Sequence, residues 1–346
     1  MDVSVQEKNL DGTLKELHRA SGGSCGGNCV TNNYIAWLTD LFGAKSMEKL
    51  KRDAMEDYVD LLREFESKKR NIIPDNTGLV TFRVSSALKE FHDENEEESI
   101  AKKVSRMNID ESVKMNRDKL RVSADIARGW FQEPIDKTIR HITGILAEPD
   151  MGDVNTVLLV GGFAECIIVQ EAVKKAVGGR TVIIPEEAGL AVLKGAVRFG
   201  HQPRLVTARC PRFTYGFAAT LHFDESELPL DKMVAGTCGD NSFEKVLEIG
   251  KPVEVGKDIK APSRRLLNKQ GGTVFRIYAS TERNPKYVTD PSCTVIGELN
   301  VYEDDPGEAL EDNEVEIYLA MGDTELTASV KILKTGKILT KSIDCL

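Results

Sequence analysis

No stretch of this sequence stays apolar for the roughly 18 residues that a membrane-spanning helix requires. The N-terminus also lacks the apolar core of a secretory signal. A basic stripe is missing too. The 46 Lys and Arg are dispersed among 55 Asp and Glu, and the net charge of −9 argues against a nucleic-acid surface. Histidines are few, and Cys25 and Cys29 form a C-x3-C with neither a second pair nor a His cluster nearby, so no zinc site is expected. The seven cysteines are odd in number and irregularly spaced, which reads as reduced thiols in a cytoplasmic protein. What is present is 346 residues, 41% hydrophobic and 29% charged, enough for a real core and for two domains.

The most organised stretch runs from Asn155 to Gly200. Thr156-Val157-Leu158-Leu159-Val160 reads as one buried strand, ended by Gly161-Gly162. Ala164 to Val177 follows as a helix with an apolar face that includes Ile168, Ala172 and Val173. Thr181 to Ile184 is a second strand, and Pro185-Glu186-Glu187 leads into a helix over Ala188 to Phe199. Its small residues (Ala188, Gly189, Ala191, Gly195, Ala196) predict close packing on a sheet. Glycines between strand and helix let backbone approach a ligand, and a helix start offers free N–H groups to an anion. A bare Gly-Gly is equally consistent with a tight turn that binds nothing.

Ahead of this stretch, Asp2 to Glu7 and Leu14 to Ala20 form a hairpin with Asp11-Gly12 as its turn. Asp-Gly-Thr invites a phosphate-binding reading, but its place at a hairpin tip favours the turn. Residues 21–28 then hold four glycines in six positions, from Gly22 to Gly27, before a helix over Tyr34 to Phe42. Such a loop is either a ligand-facing segment or a linker. Met47 to Arg70 has one helical period throughout, and Glu66, Lys69 and Arg70 share a face at its end. Residues 71–122 read as an α+β lobe with one short strand, Leu79 to Val84, and Asp93 to Glu98 as a solvated acidic loop or helix end. A second long helix spans Ser123 to Leu146, with Pro134 inside it.

Past Arg204 the period changes to alternation. The runs are Phe213 to Phe223, Phe243 to Ile249, Thr273 to Ala279, Thr294 to Tyr302, Glu314 to Ala320, Leu326 to Leu333 and Lys337 to Ile343. Turns such as Lys334-Thr335-Gly336-Lys337 separate them, and the pattern predicts an antiparallel sandwich.

Val160-Gly161-Gly162-Phe163 after a hydrophobic strand, then Ile184-Pro185-Glu186-Glu187-Ala188 opening a small-residue helix, resembles the adenosine motif and final helix of the 70-kDa heat-shock chaperones. Residues 185–197, Pro-Glu-Glu-Ala-Gly-Leu-Ala-Val-Leu-Lys-Gly-Ala-Val, are more similar to the family's divergent 12A/12B branch. Asp2-Val3-Ser4-Val5 resembles the strand after the family's second phosphate loop. Ala20 to Val30 resembles its Gly-Gly segment, and Tyr287-Val288-Thr289-Asp290-Pro291 the branch's C-terminal sheet region.

That resemblance implies an incomplete lobe of an α/β actin-like ATPase (ribonuclease H-like) domain over residues 1–204, with an inserted α+β subdomain at about 43–122. It further implies an all-β sandwich over 205–346, like the chaperone substrate domain but without a helical lid. Glu66, Lys69 and Arg70 then line an adenosine pocket, and Gly161, Gly162 and Phe163 form the facing wall. Gly26 and Gly27 stand near the phosphates, and Glu186 near the nucleoside. ATP or ADP is the implied ligand, held weakly. The family places an Arg where this chain has Glu165, and a carboxylate there disfavours phosphate. The family's second phosphate loop, Asp-x-Gly-Gly-Gly-Thr, does not occur in this sequence. Relative to the family the chain is N-terminally truncated, so Mg²⁺ is not expected to be held by it alone, and no catalytic residue is assigned. The expected function is that of an atypical, chaperone-like stress protein that binds client polypeptides through the sandwich and self-associates through an exposed sheet edge. The alternative is a nucleotide-independent binding or scaffold module, or a fragment of a longer ATP-binding protein of that branch.

Overall fold

Asp2–Lys8 (β1) and Leu14–Gly22 (β2) form the hairpin that the alternation predicts. Its turn consumes Asp11, whose Oδ1 accepts from Thr13 N at 2.9 Å and Thr13 Oγ1 at 2.6 Å. These bonds hold its carboxyl below the usual range. Gly12 takes φ +86°, a left-handed conformation that favours glycine. Asp11 is therefore a turn residue. In this computed structural model the described residues are 1–106, 112–219, 241–262, 265–266, 273–301, 314–322 and 325–344. The chain divides into two units, one of Met1–Asp2 and Gly22–Val197, the other of Val3–Ser21 and Arg198–Leu346. The hairpin, expected with the first domain, thus belongs to the second unit. The physical reason is pairing: β2 runs parallel to Val206–Arg209 (β8), with Leu14 opposite Val206.

The first unit is mixed α/β. It contains α1 (Gly27–Phe42), α2 (Ala44–Asp53), α3 (Met55–Lys69), β3 (Leu79–Arg83), α4 (Ser86–Asn95), α5 (Ile100–Arg106), β4 (Val113–Asn116), β5 (Lys119–Ser123) and α6 (Ala124–Leu146). It continues with β6 (Thr156–Leu158), α7 (Ile167–Ala176), β7 (Thr181–Ile183) and most of α8 (Ala188–His201), up to Val197. The period over 47–70 breaks at Ala54, at φ −138° and ψ 57°, so one expected helix is two. Each piece buries its own stripe: Met47 and Leu50 on α2, Leu61 and Phe65 on α3. The lobe expected to hold one strand holds three, ordered β3-β5-β4. The β4–β5 turn escaped notice because Arg117 takes its positive φ of 54° without a glycine. Ser123 caps α6, its Oγ accepting from Ile126 N at 3.3 Å, and Pro134 is accommodated inside that helix. The core is aromatic. Tyr34 of α1 stacks on Phe65 of α3 with centroids 4.1 Å apart, and Trp130 of α6 meets Tyr34 edge-on at 5.0 Å. Such pairs add about 0.5–1.5 kcal/mol to their burial.

Two expectations about the Asn155–Gly200 stretch fail. Among the described residues β6 pairs only with β7, in parallel, and Leu158 is 58% exposed, so this is not a buried strand. On α8 only Ala188 is buried, and the space a Cβ would fill at Gly195 is open, so the small residues do not mark a packed face.

The second unit is built of β8, β9 (Thr214–Ala219), β10 (Ser242–Leu247), β11 (Val253–Glu254), β12 (Ile259–Lys260) and β13 (Arg265–Leu266). It is completed by β14 (Thr273–Ser280), β15 (Cys293–Val301), β16 (Glu314–Met321), β17 (Glu325–Ile332) and β18 (Ile338–Asp344), together with the hairpin. Each expected run became a strand; residues 220–223 and Tyr302 lie outside the described residues. Strand order is β10-β9-β14-β15 in one antiparallel sheet and β12-β16-β17-β18 in another, with β13 also on β16. Alternate residues from both sheets, among them Phe217, Ile277, Val315, Leu319 and Val330, share one core. A third sheet has the order β1-β2-β8-β11. Among the described residues no helix is long and apolar enough to cross a membrane, and no three His, Cys, Asp or Glu are grouped to hold a metal ion.

Candidate functional site

Three segments of the first unit meet where the expected residues lie: the start of α1, the end of α3 and the turn after β6. Gly26 is the N-cap of α1 and has no side chain to cap with, so its glycine loop runs straight into the helix. The helix starts seven residues earlier than the periodicity of its apolar face predicts, because Asn28, Thr31, Asn32 and Asn33 are weak helix formers that read as loop. A Cβ placed on Gly27 would stand 3.2 Å from Lys69 Nζ and 3.6 Å from Phe163 Cδ2. Gly27 is thus the point at which all three segments converge.

Lys69 is buried, at 4% exposure. Its ammonium donates to Gly27 O at 3.2 Å, to Thr31 Oγ1 at 3.2 Å and to Glu66 Oε1. Thr31 accepts from Lys69 and donates to Glu66 Oε1 at 2.8 Å. An ammonium has three protons, so Lys69 has spent all of them on the protein. Its part is to tie α1 to α3, while the second oxygen of the half-exposed Glu66 is left for other partners.

Arg70, one residue beyond α3, is half-exposed and pairs through Nη1 with Glu165 Oε2 at 2.7 Å. The other oxygen of Glu165 accepts from Gly189 N in the first turn of α8, at 3.0 Å. A Cβ on Gly189 would meet that oxygen, so a side chain there would make the carboxylate shift. The turn is fixed again by Gly161 N, which donates to Ala188 O at 2.7 Å, and Gly161 adopts φ +90°. Nothing lies within 4 Å of a Cβ built on Gly161 or Gly162, so this wall has an open face. Glu186 is exposed in the link from β7 to α8.

Cys166 lies fully buried just before α7. Burial pushes its thiol up to about 11, against the pull of Lys69 and Arg70. A thiol that is both fully buried and harder to ionise than usual is a packing group, not a nucleophile. Sequence reading overlooked Thr31, Cys166 and Gly189. The i, i+4 spacing of Gly27 and Thr31 on one helix was a usable signal for the first. Nothing in the linear sequence points to the other two.

The chain matches no family model. It is similar along its whole length to heat shock 70 kDa protein 12A of Mus musculus and of Homo sapiens, 30% identical over 354 residues in each case. It is 28% identical over 361 residues to heat shock 70 kDa protein 12B of Homo sapiens. The chain spans about half, 52%, of the length of each of these relatives.

Proposed function

We propose that this chain, a homologue of heat shock 70 kDa proteins 12A and 12B, is an atypical chaperone-like protein whose first unit keeps an adenine-nucleoside half-site. The observation that carries the reading is the convergence on Gly27 of Lys69 and Phe163, which joins the two expected walls at one point. Glu66 offers a free carboxylate oxygen to ribose hydroxyls. The guanidinium of Arg70 offers a plane to an adenine face, an attraction of about 0.5–2 kcal/mol. The second unit takes extended polypeptide. It ends one sheet on β18, beyond which no strand pairs among the described residues, and main-chain pairing to such an edge is a general mode of peptide capture. The end strand β1 is the edge for self-association.

Ligand-observed NMR with adenosine tests the nucleoside reading. The expected dissociation constant is high-micromolar to millimolar, about −4 to −6 kcal/mol, and it should weaken in Arg70→Ala. One observation favours a second reading, a nucleotide-independent scaffold: Lys69 and Arg70 are both satisfied by internal partners. Absence of adenosine binding from the wild type decides for that scaffold.

A further inference from the structure

Glu165 is placed in the site by two contacts that have nothing to do with its own turn. One oxygen lies 2.7 Å from Arg70 Nη1 and the other 3.0 Å from Gly189 N. In the second contact the carboxylate lies where a Cβ of residue 189 would be. At the site the charges close in pairs, Lys69 with Glu66 and Arg70 with Glu165. Two positive and two negative groups cancel, so neither of these two cations is left uncompensated for an incoming ligand. With adenine on the plane of Arg70, a phosphate that reaches for the guanidinium edge must first displace the carboxylate of Glu165, and then sits beside a displaced like charge. An uncharged nucleoside meets neither cost.

We infer that Glu165 is the residue that sets charge selectivity at this site: its carboxylate occupies Arg70 and makes the pocket favour a neutral nucleoside over the corresponding nucleotide. The inference rests on the nucleoside reading above and deepens it. Glu165 acts on the ligand through Arg70. Replacing it with Gln keeps its size and its acceptor oxygen for Gly189 N while removing the charge that neutralises the guanidinium. Charge-assisted hydrogen bonds are about twice as strong as neutral ones, but solvent screens a half-exposed Arg. The expected change is therefore one order of magnitude, not several.

The test is calorimetric titration of adenosine and AMP into the intact chain, as wild type, Glu165→Gln, and Glu165→Gln with Arg70→Gln. Wild type is expected to bind adenosine at least as tightly as AMP. Glu165→Gln should shift the ratio of the two constants about tenfold toward AMP, and the double variant should abolish that shift. A wild type that prefers AMP tenfold, or an unchanged ratio in Glu165→Gln, overturns the inference while leaving the nucleoside reading standing. If adenosine binds none of the proteins, that reading falls, and inorganic phosphate still probes Glu165 through the Gly189 amide resonance. A phosphate-dependent shift in Glu165→Gln that is absent from wild type supports the blocking role of the carboxylate. No shift in either protein overturns it.

Discussion

The ion pair of Lys69 and Glu66 is asymmetric, and that asymmetry makes a quantitative prediction. The side chain of Lys69 is 5% exposed, whereas that of Glu66 is 42% exposed. Removing the acid by Glu66→Gln leaves a buried ammonium with only neutral acceptors, Gly27 O, Thr31 Oγ1 and the new amide. Breaking a fully buried pair in this way costs about 3–5 kcal/mol. The half-exposed position of Glu66 lowers this to about 2–3 kcal/mol. Lys69→Met keeps the aliphatic stem and leaves a carboxylate that water reaches and Thr31 still contacts. Its cost should be about 1.5 kcal/mol, the low end for one net hydrogen bond to a charged group. The assay is urea unfolding followed by tryptophan fluorescence. Both tryptophans of the chain, Trp37 and Trp130, lie in the first unit with centroids 5.5 Å apart, so the signal reports that unit alone. A Lys69→Met variant as destabilised as Glu66→Gln, or more so, would refute the view that Lys69 is the buried partner on which the site is built.

Four further outcomes are expected. Gly12→Ala should destabilise the second unit by about 1 kcal/mol, since its cost is the positive φ and not a clash, as circular-dichroism melting would show. Cys166 keeps its proton to about 11 in the fold, whereas an unfolded thiol ionises near about 8.5. Its contribution is therefore intact below about 8.5 and lost as pH rises toward 11, a loss that Cys166→Ala should remove when the two unfolding curves are subtracted. Thiol labelling read by peptide mass spectrometry at pH 8 should spare buried Cys166 and Cys210, the latter pushed up to about 12 by burial and then by Glu16, and should mark half-exposed Cys29 and Cys293. The 346-residue chain should release phosphate from ATP no faster than buffer, and turnover that disappears in Arg70→Ala would contradict this.

Local chemistry made a large part of the molecule legible from its residues. The hairpin turn at Asp11-Gly12, the capped helix after Ser123 and the strands of the two-sheet core follow from patterns that are complete within ten or twenty residues. The same holds for Glu66, Lys69 and Arg70 as neighbours at the end of one helix. What the linear pattern could not decide was which partner each surface has. A β-branched run reads as buried whether its sheet has two strands or six, so β6 was misjudged until its pairing was known. Small residues on α8 signal close packing, but packing needs a second surface, and only Ala188 has one. The hairpin went to the second unit because β8, nearly two hundred residues away, supplies its parallel neighbour. At the site the three charges were visible, yet their roles depend on contacts between residues far apart in the chain: Thr31 with Glu66, Arg70 with Glu165, Glu165 with Gly189. Charge is a property of a residue, whereas which charge remains free for a ligand is a property of the fold.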